Sequence, residues 1–299
     1  MRSLLLTLAL LCLTTACKQE APKPAAASGP LRICVSIPPL IGVVKAIAGE
    51  DVEVSSLMSA QDDPHTFSPT PQNIANLRNA QLFLTIGVDY EKAVCDKVGP
   101  MFPNLKVVNV SAAVERLTMG EHHHDDGEEA QHEDHDGPVS DPHVWLSLPN
   151  LIHIADQVRT ALSEAGPAQA EQFAARYAEY RSQLEAKNAA FTKRLASLKS
   201  RSFCVYHPVF GYFARDYGLT QAVVEVDGKE PSPQQLRTLL DEAKEENFTV
   251  VFVQPQFNDR AAQTIADMIG GRVVRVNPMA EDTAALLGTV VGTLAGDRR

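Results

Sequence analysis

Between residues 168 and 199 the apolar side chains Phe173, Tyr177, Tyr180, Leu184, Phe191, Leu195 and Leu198 recur at steps of three, four or seven. That period is helical, and it is kept up for roughly thirty residues. At about 1.5 Å per residue such a helix would be about 45 Å long, which suits a two-lobed protein better than one small domain. Everything else must be placed on one side of it or the other. Ahead of it, strand-like runs at 31–37, 52–57, 81–86 and 106–110 alternate with helix-like stretches at 40–48, 71–79 and 90–98. An amphipathic helix at 150–164, with Leu151, Ile154, Val158 and Leu162 on one face, leads up to the Gly166-Pro167 break. Beyond it, strands at 202–206, 221–226, 249–253 and 272–276 alternate with helices at 210–217, 232–246, 260–269 and 283–294. Alternation of this kind builds parallel sheets covered on both faces. The sequence therefore predicts an α/β fold: two (β/α) lobes with parallel-type sheets, residues 31–166 and 200–299, joined by one long rigid helix over 167–199 that stiffens any hinge.

The N-terminus reads as a leader. Met1-Arg2-Ser3 is basic, residues 4–13 are mostly apolar, and Thr14-Thr15-Ala16-Cys17 are small. The apolar run is too short to span a bilayer, which takes about 20 residues. Residues 1–17 are expected to be a lipoprotein-type signal peptide with Cys17 as the lipidated residue, although Leu13 stands four places before the cysteine where a lipobox carries it at three. Residues 18–30 form a Pro/Ala/Lys tether able to reach about 40 Å when extended. The expected location is extracytoplasmic, in the periplasm or on the outer face of the cell membrane, with the chain anchored through Cys17 and acting as a monomer. Three cysteines remain in the body, Cys34, Cys95 and Cys204, without C-x-x-C spacing. They suit either buried thiols or one disulfide plus one free thiol.

The formal charge is -10. Residues 121–136 hold eight acidic residues and no Lys or Arg, so the rest of the chain is near -2. A protein without a basic surface is not built to hold nucleic acid. The acidity belongs to one local segment, 121–137, which also carries His122, His123, His124, His132 and His135. Almost devoid of apolar residues, it reads as a loop that gathers zinc-like ions loosely.

Of the other four histidines, three occupy similar places. His65 lies in Asp62-Asp63-Pro64-His65-Thr66-Phe67-Ser68-Pro69, His143 in Asp141-Pro142-His143-Val144-Trp145-Leu146-Ser147, and His207 in Val205-Tyr206-His207-Pro208-Val209-Phe210-Gly211. Each has a proline directly beside it, and His65 and His207 closely follow predicted strands, where parallel sheets bind ligands. Three neutral imidazoles and one further group complete a tetrahedral site for zinc, whereas manganese or magnesium calls for more carboxylates. His153, inside a helix, is expected to be structural. A zinc hydrolase would also use three histidines and a water, but there is no H-E-x-x-H and no general base next to any of the three.

Four stretches carry a family resemblance: Asp-Pro-His-Thr-Phe-Ser-Pro-Thr-Pro at 63–71, Asp-Pro-His-Val-Trp-Leu-Ser at 141–147, His-Pro-Val-Phe-Gly-Tyr-Phe-Ala-Arg-Asp-Tyr-Gly-Leu at 207–219 and Asp-Gly-Lys-Glu-Pro-Ser-Pro at 227–233. From about residue 31 to its end the chain resembles the zinc/manganese solute-binding proteins of bacterial ABC transporters. The resemblance implies a metal site in the cleft between the lobes, with ligands at His65, His143 and His207, and a membrane permease with its ATPase as partners. A histidine at the third place, together with the His-rich loop, resembles the zinc branch; manganese, or a zinc buffer unconnected to transport, are the alternatives. One position departs from the family pattern. Where many members carry an Asp near the last strand, this chain has Val276-Asn277-Pro278-Met279. Water is therefore expected as the fourth ligand, with Asn277 bonded to it. Glu281, Asp282, Asp63 or the loop are weaker options.

Overall fold

The structure, a computed structural model, describes residues 29–118, 140–225, 229, 231–257 and 259–297. The leader with Cys17, most of the tether and the His-rich segment 121–137 lie outside the described residues.

Two four-stranded sheets of like topology organise the chain. The first runs β2-β1-β3-β4 and is made of β1 (Leu31–Val35), β2 (Val52–Ser56), β3 (Leu82–Thr85) and β4 (Lys106–Asn109). The second runs β6-β5-β7-β8, from β5 (Ser202–Val205), β6 (Thr220–Val223), β7 (Val250–Val253) and β8 (Arg272–Arg275). Every pairing within these two sheets is parallel, and among the described residues one isolated antiparallel bridge joins Thr118 and Ser140. The inner strands β3 and β7 are buried along their whole length, as strands covered on both faces must be, while β4 and β8 at the edges alternate or face water.

The connecting helices are α1 (Pro39–Ala48), α2 (Pro71–Asn76), α3 (Tyr90–Met101) and α4 (Leu148–Ala165) for the first sheet, then α5 (Ala170–Leu195), and α6 (Gly211–Tyr217), α7 (Pro233–Glu245), α8 (Asp259–Met268) and α9 (Thr283–Leu294) around the second. Helix starts follow local chemistry. Thr70 and Ser232 each close a reciprocal capping box with the residue three positions on, and Ser147 caps α4 through Asn150. Proline occupies the first turn of each of these three, where its missing N–H costs nothing.

The central helix is shorter than the periodicity suggested. α5 covers 26 residues, about 39 Å, preceded by one 3₁₀ turn at Pro167–Gln169. It ends at Leu195 although Leu198 still packs on the core from the turn that follows. Phe173, Leu184 and Leu195 are fully buried, and Tyr177, Tyr180 and Phe191 are partly so, giving a single apolar stripe against α4, α1 and α9. α5 is thus a packed spine and not a free strut.

One apolar core runs through both sheets and the spine, and a smaller one lies on the outer side of the second sheet. Close approach of the two halves is visible at Gly42 of α1, where a Cβ would lie 2.1 Å from the Glu281 carbonyl oxygen. No helix among the described residues is long and apolar enough to cross a membrane.

Candidate metal centre

The carboxyl ends of both sheets face one another, and the loops leaving them carry the polar residues of interest. His65 follows β2, Asp89 follows β3, His207 follows β5, Glu225 follows β6, Gln254 and Gln256 follow β7, and Asn277 follows β8. His143 lies just ahead of α4. The structure brings His65, His143 and His207 together: one ring nitrogen from each lies within 4.8 Å of the others. His65 Nε2 is 3.4 Å from His143 Nε2 and 3.3 Å from His207 Nε2. His153 is exposed on α4 and stands outside this cluster.

The opposite nitrogen of each ring meets a carboxylate. His143 Nδ1 is 2.8 Å from Asp141 Oδ1, His207 Nδ1 is bonded to Glu225 Oε1, and His65 Nδ1 is 3.6 Å from Asp89 Oδ2. A carboxylate facing Nδ1 takes a hydrogen bond from Nδ1–H, and this fixes the tautomer that leaves Nε2 as a bare acceptor. At His143 and His207 this leaves Nε2 as a bare acceptor, and His65 Nε2, 3.4 and 3.3 Å from the two, completes a convergence of ring nitrogens suited to a cation. A tetrahedron with metal–nitrogen bonds of about 2.0–2.1 Å has nitrogen–nitrogen edges of about 3.3–3.4 Å, the spacing of the two edges that meet at His65.

Each ring is held differently. Asp141 Oδ1 accepts both the backbone N–H of His143, at 2.8 Å, and its ring N–H. The proline in Asp-Pro-His marks the turn, but the aspartate builds it. Asp141 is itself locked: a Cβ on Gly211 would lie 2.6 Å from Asp141 Oδ2, and Tyr212 Oη donates to the Asp141 carbonyl. Trp145, fully buried, lies against His143 and donates from Nε1 to Pro278 O at 2.9 Å. Burial lowers the His143 pKa from its ordinary value, and Asp141 offsets this only in part. His207 is stacked on Phe257 with 5.2 Å between ring centroids, and Gln254 Nε2 donates to its carbonyl at 3.2 Å. His65 is the most open of the three, with a quarter of its side chain exposed and Asp89 three-quarters exposed.

The space between the rings is about 20 Å³, lined also by Asp63, Pro64, Gln254 and Met279. A single water needs about 10–15 Å³, so the space between the rings suits an ion with a small ligand such as water. Gln254 is buried in this lining, and its Oε1 has no hydrogen-bond partner among the described residues. Asn277 is engaged elsewhere: its Oδ1 accepts from Met279 N and its Nδ2 donates to Ala60 O. The other candidates for a fourth place have partners of their own, and the His-rich loop lies outside the described residues. Asp63 Oδ1 accepts His65 N, Glu281 pairs with Lys45, and Asp282 caps α9.

Sequence reasoning missed Glu225 and Asp89. Glu225 had a readable signal, since a lone carboxylate inside Ala222-Val223-Val224-Glu225-Val226 must find a partner if the run is buried. Asp89 had none beyond following a strand. Among the described residues Cys34, Cys95 and Cys204 form no disulfide; two of them lie deep in the sheets, where burial pushes the thiol of Cys34 up to about 11 and that of Cys204 up to about 12.

Paired α/β lobes whose strand ends gather three histidines around an ion-sized space define a candidate metal-binding protein. Within that class the chain is a member of the ZnuA family: residues 33–290 match the family described as zinc-uptake complex component A, periplasmic. It is 29% identical over 289 residues to the zinc-binding protein AdcA of Streptococcus pyogenes serotype M3, covering 93% of this chain and 56% of that protein. The chain thus spans little more than half the length of the AdcA proteins it matches. It is 26% identical over 278 residues to the high-affinity zinc uptake system protein ZnuA of Bacillus subtilis, covering 89% of this chain and 85% of the other. A crystal structure of ZnuA superposes with a TM-score of 0.79 at 34% identity, covering 89% of this chain and 98% of that one. A ZnuA deletion mutant with zinc bound superposes at 0.78, again at 34% identity, over 89% and 97%.

Proposed function

We propose that this protein is an extracytoplasmic receptor that captures a zinc ion through Nε2 of His65, His143 and His207 and hands it to a membrane permease driven by a separate ATPase. The observation that carries the reading is the convergence of three imidazole nitrogens within 4.8 Å, two of the edges at tetrahedral spacing, with a carboxylate facing the far nitrogen of each ring. Membership of a zinc-uptake family and likeness to a zinc-bound ZnuA structure support zinc over manganese. A set of three neutral nitrogen donors favours it too, because manganese prefers oxygen. Water is the fourth ligand in this reading. The unpaired Oε1 of Gln254, aligned with the same cavity, gives that water an acceptor.

Neutral imidazoles are needed, so protons compete with the ion, and affinity falls as the solution is acidified. A receptor fits better than a hydrolase. Asp141, Glu225 and Asp89 face Nδ1, on the far side from the ion, so none of them is placed to act as a base on an ion-bound water. The leader, Cys17 as lipid anchor, a loose ion-gathering role for His122, His123, His124, His132 and His135, and action as a monomer belong to the same proposal.

Calorimetric zinc titration of the wild type and of His65→Ala, His143→Ala and His207→Ala tests the ligand set. One ion per chain, with loss of tight binding in each variant, is expected. Unchanged tight binding in all three would remove the assignment.

A further inference from the structure

The loop that carries His65 is held in place from the opposite lobe. Residues 57–70 form turns and bends with no strand pairing. Inside the loop, Asp62 Oδ2 accepts Ser59 N at 2.7 Å and Asp63 Oδ1 accepts His65 N at 2.9 Å. These bonds fold the loop on itself but do not fasten it to the second sheet. Two of its carbonyls do that. Asn277 Nδ2, from the turn after β8, donates to Ala60 O at 3.1 Å. Gln256 Nε2, from the turn after β7, is shared between Ala60 O and Asp62 O at 3.4 Å each. The orientation of Asn277 is dictated locally. Met279 N–H needs an acceptor and takes Oδ1 at 3.0 Å, so the amide nitrogen must face Ala60. An aspartate here could keep the Met279 bond but would set an oxygen against a carbonyl oxygen.

We propose that Asn277 and Gln256 are positioning residues that clasp the His65 loop across the lobe boundary, so that the lifetime of the bound ion is set by these two amides as well as by its ligands. The proposal rests on the reading of the three histidines as the zinc site. His65 is the ligand to which such a clasp matters, because it is the most open of the three and its carboxylate partner lies in solvent. Opening the lobes breaks the three amide contacts together, and His65 then leaves the ion first, turning a closed three-nitrogen site into an open two-nitrogen one.

The test is zinc release from the full chain into a fluorescent chelator, followed by stopped flow, for the wild type, Asn277→Ala, Asn277→Asp, Gln256→Ala and the Asn277→Ala/Gln256→Ala pair. Loss of an outer-shell partner changes metal affinity by about 10- to 100-fold, and such changes fall mostly on dissociation. Release is expected to be roughly tenfold faster in each single variant and faster still in the pair, with the association rate within about threefold of wild type. Asn277→Asp separates the clasp from a purely structural role, since it retains the acceptor for Met279 and loses only the donor. It should release zinc as fast as Asn277→Ala. Release at or below the wild-type rate in Asn277→Asp, or in the pair, overturns the clasp. If the pair does not fold, the half-buried Gln256→Ala decides by the same criterion. His143→Ala serves as the control: zinc retained by that variant would remove the histidine site itself, whereas zinc lost from it with clasp variants unchanged would remove only the clasp.

Discussion

The chain contains the tripeptide Asp-Pro-His twice, at 63–65 and 141–143, and the two copies are built differently. In both, the aspartate accepts the backbone N–H of the histidine two residues on, closing the same small turn. At 141–143 the aspartate also holds the imidazole, is walled in by Gly211 and sits beside a buried tryptophan. At 63–65 the ring turns away from its own aspartate toward the exposed Asp89, and the loop is fastened by amides from the other lobe. An identical local signature thus gives one histidine held by its own loop and one whose loop is fastened from the other lobe; in the proposed site the first is the fixed ligand and the second the one that depends on lobe closure. What separates them is the supporting shell and not the motif.

The largest effect should come from removing the fixed ligand. Zinc sites with total binding free energies of about 10–16 kcal/mol spread over four ligands lose roughly 3–4 kcal/mol, or 100- to 1,000-fold in Kd, per ligand. His143→Ala is expected at or beyond the upper end, because it also leaves Asp141 buried without its ring partner. His65→Ala should lie at the lower end, where water can replace the open ligand. Equal losses in competition titrations with a chelator of known affinity would erase the distinction.

Next come the carboxylates. Asp141→Ala should weaken zinc by about 10- to 100-fold, since it frees both the turn and the ring. Asp89→Ala, at a 3.6 Å and exposed contact, should cost about threefold or less. The reverse order would mean that burial is not what holds the ligand. Gly211→Ala probes the same shell from the second lobe. Its new methyl group meets Asp141, and a stability loss of about 1–3 kcal/mol in denaturant unfolding should accompany a zinc defect resembling that of Asp141→Ala.

The smallest effect is on the pH profile of the ion-free protein. Burial lowers the His143 pKa, so in the folded state the ring resists a proton that the unfolded chain accepts. Above about pH 6.5 both states are neutral and the group contributes nothing; below it the unfolded state gains protons first and stability falls. Thermal melts of the zinc-free protein should decline below about pH 6.5, with a shallower slope in His143→Gln.

Much of this was legible in the chain. Alternating apolar runs on either side of a helical stripe specified two parallel α/β units, because fully buried strands such as β3 and β7 leave no other pattern. His65, His143 and His207 were legible because proline marks the turns that carry them. The shell was not. Asp89, Glu225 and Gln254 follow different strands and meet the site only through the parallel topology, which no local window encodes. Glu225, an acid in an apolar run, came nearest to giving itself away. Asn277 was read as a partner for a fourth ligand, yet its amide is spent on Ala60 and Met279, contacts between segments more than two hundred residues apart in the first case.

The central claim is that one ion sits on three Nε2 atoms whose Nδ1 partners are carboxylates. A crystal structure of the zinc-loaded protein, with anomalous scattering measured at the zinc edge, tests it most directly. The account predicts a single strong anomalous peak equidistant from Nε2 of His65, His143 and His207 at about 2.0–2.1 Å, with each Nδ1 still turned to Asp89, Asp141 or Glu225. An ion bound through any Nδ1, or centred on a site that leaves out one of these histidines, would contradict it.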